Sequence, residues 1–263
     1  MAHQLGPTIA KLQELLNMGF VKMLASPRSD RCLTEIYGIK FWIDSPEEVL
    51  ILKEVFAHDE YPKQVSGNFV FVDIGLNVGF TSLKFASDPN CKRIYGFEPF
   101  APTLERAQEN FELNPIFRDK ISVYNYGLSD HHEHGSSSYN TAKRGQMKTI
   151  KGPAVETLDF PEESFIVKEA SAVLESIFQE AKTDLLKIIL KIDCEGAEYE
   201  ILPHLDKQNL LKLVDQIFIE WHFKGSESLL EILRANQFQT REEACIDLWE
   251  STVSGMIHGL RAP

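Results

Sequence analysis

Phe69-Val70-Phe71-Val72-Asp73-Ile74-Gly75-Leu76-Asn77-Val78-Gly79 is the stretch on which the reading of this chain turns. A short apolar run ends at an acid and a glycine, and Phe80–Ala86 continues as a helix. Glycines at such a junction let the backbone turn tightly and leave room for a ligand against the main chain. The following helix N-terminus offers free N–H groups and the positive end of a dipole, suited to a carboxylate or phosphate. The spacing D-x-G-x-x-x-G is not the G-x-G-x-x-G dinucleotide fingerprint, and it lacks the Lys-Ser/Thr of a P-loop. Glycines between a strand and a helix can also mark a tight turn and nothing more.

Downstream the same unit recurs. RIYGFE (93–98) reads as a second strand and PTLERAQENFELN (102–114) as a helix stopped by Pro115. ISVYNYG (121–127) is a third strand, and a helix is predicted over 162–182. LLKIILKID (185–193) is a nearly continuous apolar fourth strand, followed by the short helix AEYEILPHL. QIFIEWHF (216–223) is a fifth strand and SESLLEILRANQF (226–238) a further helix, with ACIDLWES and GMIHGLR as closing strands. Apolar strands alternating with helices specify an α/β, doubly wound, mostly parallel sheet. Ligands of such sheets sit beyond the carboxyl ends of the strands, where strand order reverses. One polar segment, 129–153, shows no apolar period and reads as a loop that could close over a substrate.

Upstream, Ile9, Leu12, Leu16, Phe20 and Leu24 lie at helical spacing, an amphipathic stripe that must cover the main domain or a partner chain. EIYGIKFWID reads as two strands around Gly38, and SPEEVLILKEVF as a helix capped by Ser45 with Pro46 at its first position. The expected division is a helix-and-hairpin extension over 1–66 and a ligand-binding domain over 67–263.

The chain's 263 residues carry 27 basic and 39 acidic side chains, a net charge of −12. Such a surface repels a phosphate backbone, so nucleic acid is not the expected partner and a small molecule is. Four cysteines without a CxxC pair suggest a reducing compartment. No apolar run approaches bilayer length, and the first residues lack a signal-peptide pattern, so a cytoplasmic location without membrane is expected.

Chemistry-bearing residues collect at strand ends. Glu98 closes the second strand about as far beyond the glycine turn as the ribose-binding acid of dinucleotide folds. Strand alternation along Lys191-Ile192-Asp193-Cys194-Glu195-Gly196 places Asp193 and Glu195 on one side and Cys194 on the other. Two acids there are costly unless they face a cleft or a partner, whereas Glu198 reads equally well as a surface or helix-capping acid. Glu220 and His222 share a face of the fifth strand, and His222 is a candidate general base, although a histidine at a strand end is more often structural. His131-His132-Glu133-His134 lacks zinc-ligand spacing and reads as solvated loop, so no metal site is expected.

Taken in order, FVDIGLNVGFTSL, YGFEP, NYGLSD, KIDCEGAEYEIL and IFIEWHF resemble the FkbM-type methyltransferases, a branch of the class I S-adenosylmethionine-dependent enzymes. The resemblance covers roughly residues 67–240. It implies a Rossmann-like seven-stranded sheet, S-adenosylmethionine as cofactor and O-methylation of a small-molecule, sugar or secondary-metabolite hydroxyl. By position it implies that Asp73, Gly75, Asn77 and Gly79 hold the methionine portion and Glu98 the ribose. Phe100 would pack near the adenine, Ser129 and Asp130 would contact the base edge, and Asp193 would lie near the ammonium and sulfonium. Family members often have alanine where this chain has Leu76. His222 and Glu195 are the candidate catalytic bases. A nicotinamide-dependent oxidoreductase, or a non-catalytic binding domain dimerising through the N-terminal helix, would share these strands; the missing G-x-G-x-x-G counts against the first.

Overall fold

The computed structural model describes residues 5–17, 19–24, 31–141, 144–147, 149, 160–247 and 252–262. It opens with helix α1 (Leu5–Asn17) and an antiparallel sheet of β1 (Lys22–Met23), β2 (Cys32–Ile36) and β3 (Ile39–Ile43). Helix α2 (Pro46–Leu52) starts as its sequence predicts. Ser45 Oγ accepts the Glu48 N–H at 3.1 Å, and Glu48 returns a carboxylate to the Asp44 N–H at 2.7 Å. This reciprocal cap satisfies two otherwise orphaned donors. A wider π-type turn, Lys53–Ala57, continues α2.

The main domain follows as β4 (Phe69–Ile74), α3 (Phe80–Ala86), β5 (Cys91–Phe97), α4 (Ala101–Glu112) and β6 (Ile121–Tyr124). After a side sheet of β7 (Gly127–Ser129), β8 (Glu133–Ser138) and β9 (Glu162–Glu169) come α5 (Ala170–Thr183), β10 (Lys187–Ile192) and α6 (Glu198–Lys207). The domain closes with β11 (Gln216–His222), α7 (Glu227–Ala235), β12 (Phe238–Asp247) and β13 (Thr252–Arg261). The seven-stranded sheet runs β6-β5-β4-β10-β11-β13-β12, parallel except around the antiparallel β13. Chain order reverses direction between β4 and β10, which sets the ligand crevice at the carboxyl ends of those two strands.

Period-two alternation sends each central strand's side chains into two cores. Val70, Val72, Leu190, Ile192, Ile217 and Ile219 bury against α5, α6 and α7. On the other face Phe69, Phe71, Ile189 and Phe218 join one apolar cluster with Leu12, Phe41, Leu52 and Phe56 of the N-terminal region. The stripe of α1 turns toward this cluster: Leu12 and Leu15 are buried, and Ile9 and Leu16 pack against it partly buried.

Two expectations need correction. Residues 162–169 form a strand, not the start of a helix, because Phe165 and Val167 alternate inward while their neighbours face out. Within 129–153, residues 133–138 pair antiparallel with that strand, Gly135 opposite Phe165. Its sequence, EHGSSS, carries no hydrophobic signal; backbone pairing holds it, with Ser136 Oγ donating to Glu162 at 2.7 Å. Residues 142–143, 148 and 150–153 of the same segment lie outside the described residues. No described helix is long and apolar enough to cross a membrane.

Candidate functional site

The turn after β4 is shaped by contact with β10. Gly75 has φ +84°, and a Cβ there would sit 1.7 Å from the Asp193 carbonyl oxygen, so only glycine fits. Asn77 (φ +51°) and Gly79 (φ +81°) complete the left-handed turn that starts α3. Leu76 lies flat over Gly96, whose missing side chain makes room for it: a Cβ on Gly96 would lie 2.8 Å from Leu76 Cδ1. The bulkier residue is thus accommodated by the neighbouring strand.

Two cavities open beside this turn and share Gly75, Asn77, Gly145, Asp193 and Glu195 in their walls. The first continues along Glu98, Pro99, Gly127 and Leu128. Glu98 is the centre of its geometry. One carboxylate oxygen accepts the Asn77 N–H at 3.0 Å and the other the Phe100 N–H at 3.1 Å, so the acid ties the glycine turn to the end of β5. Burial raises its pKa to about 7 against these two hydrogen bonds, which favour the ionised form. The Asn77 Oδ1 beside it is buried without a hydrogen-bond partner among the described residues. An orphaned acceptor and an anchored carboxylate on one cavity wall fit the ammonium and ribose hydroxyls of an adenosyl amino acid.

The second cavity lies on the face covered by the N-terminal extension, which contributes Glu47, Leu50, Glu54 and Tyr61. Lys191 and Glu220 close it from the sheet. Burial, then the charges of Glu60, Glu220 and Asp193, raise the Glu54 carboxyl to about 8. Glu60 is raised to about 7, again by burial first and by Glu220 and Asp193 next. Acids are thus crowded around this cavity.

Not every expected residue reaches a cavity. Asp73 is fully buried behind the turn, its carboxylate accepting Ser82 Oγ–H at 2.7 Å and pairing with Lys191 Nζ at 3.1 Å. The β4–β10 register sets Lys191 directly opposite Asp73, and the same ammonium reaches Asp193 at 3.1 Å. Burial disfavours that charge, but the two carboxylates outweigh it and raise the Lys191 pKa. Asp73 therefore braces the turn and lines neither cavity. Phe100 is enclosed with Tyr139 and Phe165 and lines neither cavity. Ser129 bonds to Glu200, and Asp130 pairs with His131 at the surface; Gly127 and Leu128, one turn of chain earlier, occupy the wall instead.

Asp193 and Glu195 both line the cavities, for a reason other than strand alternation. β10 ends at Ile192, and Glu195 (φ +53°) and Gly196 (φ +112°) form a left-handed turn, with Cys194 also on the first cavity's wall. A non-glycine residue held at positive φ is a local strain of the kind that collects at functional sites. His222 sits behind this turn. Its Nδ1 is 3.2 Å from Glu198, and its Nε2 is 3.6 Å from Glu220 and 3.7 Å from Glu195. Burial opposes a charged ring, yet these carboxylates push its pKa to about 11. Both ring nitrogens of His222 thus face carboxylates. Glu198 is fully buried, accepting the N–H groups of His222 and Gly196 at 2.8 Å each. Its place in an E-G-A-E run had not distinguished it from a capping acid.

Sequence reasoning also missed Arg144. It reaches from the polar segment to Asp44 at 2.7 Å and Glu48 at 3.1 Å, and with Gly145 and Met147 it walls the first cavity. The polar segment is thereby tied to the extension across both openings.

The model of a family described as the methyltransferase FkbM domain matches residues 73–240. Among curated proteins, the chain is similar to the AMB antimetabolite synthetase AmbE of Pseudomonas aeruginosa, 25% identical over 246 residues. That match covers 76% of this chain, which spans only 11% of the synthetase. It is also similar to methyltransferase sdnD of Sordaria araneosa, 26% identical over 73% of this chain and 82% of that protein. Among solved structures, the methyltransferase FkbM of Methylobacillus flagellatus aligns with a TM-score of 0.44 at 14% identity, over 74% of this chain and 44% of that one.

Proposed function

The chain belongs to the FkbM methyltransferase family, and from that premise we propose that it methylates a hydroxyl oxygen of a small molecule. Membership makes it an S-adenosylmethionine-dependent enzyme; the acceptor class and the residue roles are our reading. S-Adenosylmethionine, when bound, supplies a methyl group already activated by its sulfonium charge. The protein's task is then mainly alignment and exclusion of water, and positioning can lower a barrier by about 7–11 kcal/mol.

In this reading Glu98 accepts the ribose hydroxyls, and Asn77 with Asp193 takes the ammonium. Gly75, Gly127 and Leu128 let the nucleoside lie against the main chain. The observation that carries the assignment is the Glu98 carboxylate, fixed by two backbone N–H groups across the mouth of the glycine turn. The acceptor occupies the neighbouring acid-lined cavity, so that the extension selects it. Glu195, on the wall common to both spaces, accepts the hydroxyl proton.

The test is an assay with isotopically labelled S-adenosylmethionine and a panel of hydroxylated and amine-bearing small molecules, read by mass spectrometry. Label in an ether methyl, abolished by Glu195→Gln, supports the reading. Label found only on nitrogen or carbon refutes it.

A further inference from the structure

We infer that Asp193, Glu220 and His222 bind one divalent cation at the floor of the extension-side cavity. Each offers one ligand atom, and these atoms lie within 4.8 Å of one another. Two bonds of about 2.1 Å to a shared ion span nearly that distance. The sheet explains the grouping. β10 and β11 are parallel neighbours with Lys191 opposite Phe218, so Asp193 falls beside Glu220, and alternation returns His222 to the same face.

The imidazole's other nitrogen supplies an independent indication. Nδ1 faces the fully buried Glu198, which is itself fixed by two main-chain N–H groups. A carboxylate behind the ring is how metal-binding histidines are oriented, with the far nitrogen presented to the ion. Here that nitrogen, Nε2, stands 3.6 Å from Glu220 and 3.7 Å from Glu195, longer than a hydrogen bond and close to the separation of two ligands on one ion. Asp193 engages Lys191 through Oδ2 and offers one carboxylate oxygen to the set. An oxygen-rich set with one imidazole and no thiolate suits Mg²⁺ or Mn²⁺.

The role of the ion, though not its binding, rests on the methyltransferase reading. Facing the acceptor cavity, it would coordinate the hydroxyl oxygen and lower its pKa, the released proton passing to Glu195. The set Asp130, His131 and Glu200 also brings ligand atoms together, but two of its three members are exposed, and the carboxylate across its ring, Glu133, is half-exposed where Glu198 is fully buried; it serves as the control.

The full chain, stripped with chelator, is titrated with Mn²⁺ and followed by electron paramagnetic resonance of the free ion, with melting curves for each variant. One ion per chain is expected, with affinity falling about tenfold or more in Glu220→Gln and His222→Gln and unchanged in His131→Ala. If His222→Gln melts early, the nearly isosteric Glu220→Gln decides. Absence of binding, wild-type affinity in Glu220→Gln, or loss of binding in His131→Ala overturns the inference. A separate titration with S-adenosylmethionine isolates the failure: cofactor binding without Mn²⁺ binding removes the metal site and leaves the methyltransferase reading intact.

Discussion

The two cavities that meet at Asn77 and Asp193 are built by opposite strategies. The walls along Gly75 and Glu98 come from consecutive strand ends of one sheet, held by backbone hydrogen bonds and a buried Asp73–Lys191–Asp193 chain of charges. The acid-lined wall comes from residues 47–61 of the extension, laid over the sheet by an apolar core and tied by Arg144 to the polar segment. A donor that never changes can be gripped by backbone geometry. A variable acceptor would be better met by side chains on a separate cover. If this division holds, changes on the first side alter folding and cofactor affinity, and changes on the second alter only the acceptor.

The largest effect is expected at Gly75. An alanine there has an unfavourable φ and a Cβ driven into the Asp193 carbonyl, placing it in the exceptional class of about 4 kcal/mol or more. Urea unfolding should show it, or the variant should fail to accumulate. Lys191→Met comes next. It leaves the buried Asp73 without its cation, a loss of about 3–5 kcal/mol. Adding Asp73→Asn should return part of the unfolding midpoint; no recovery would mean that Lys191 stabilises the fold by some other contact.

Glu98→Gln should weaken S-adenosylmethionine binding by about 1.5–3 kcal/mol, the worth of hydrogen bonds to a charged group, without moving the acceptor KM. The same residue gives a pH signature. Hydroxyl donors favour the ionised carboxylate, so affinity should rise as pH climbs through about 7 in the wild type and lose that inflection in Glu98→Gln. Stability runs the other way. A carboxyl raised from its ordinary 4.5 to about 7 in the fold contributes stability that is full below the lower value and is lost as pH rises through the upper. The smallest effect is reserved for the cover: Glu54→Gln should leave cofactor affinity untouched and change acceptor KM severalfold, about 1 kcal/mol. A shift in cofactor affinity of similar size would dissolve the division.

The same contrast explains what the sequence disclosed. Local signals were readable wherever one segment both forms and supplies the site: the apolar run into Asp73 and Gly75, Glu98 before Pro99, and Ser45 before Pro46. The mostly parallel, doubly wound sheet followed from the alternation of elements. Side chains whose meaning depends on a distant partner were not readable. Asp73 has its partner in Lys191, 118 positions on, which only the sheet register sets opposite it. Nor does the sequence bring Glu198 and Glu220 to His222, as the fold does. Arg144 sits in a run without any periodicity, and its partners Asp44 and Glu48 belong to another region of the chain. β8 escaped notice because a strand of serine and glycine at a sheet margin announces itself only through its pairing.

Crystals grown with S-adenosylhomocysteine test the central claim most directly. One molecule per chain is expected, its ribose hydroxyls within hydrogen-bond distance of the Glu98 carboxylate and its amino group at Asn77 and Asp193. Density for the nucleoside in the extension-side cavity, or away from Glu98 altogether, would contradict it.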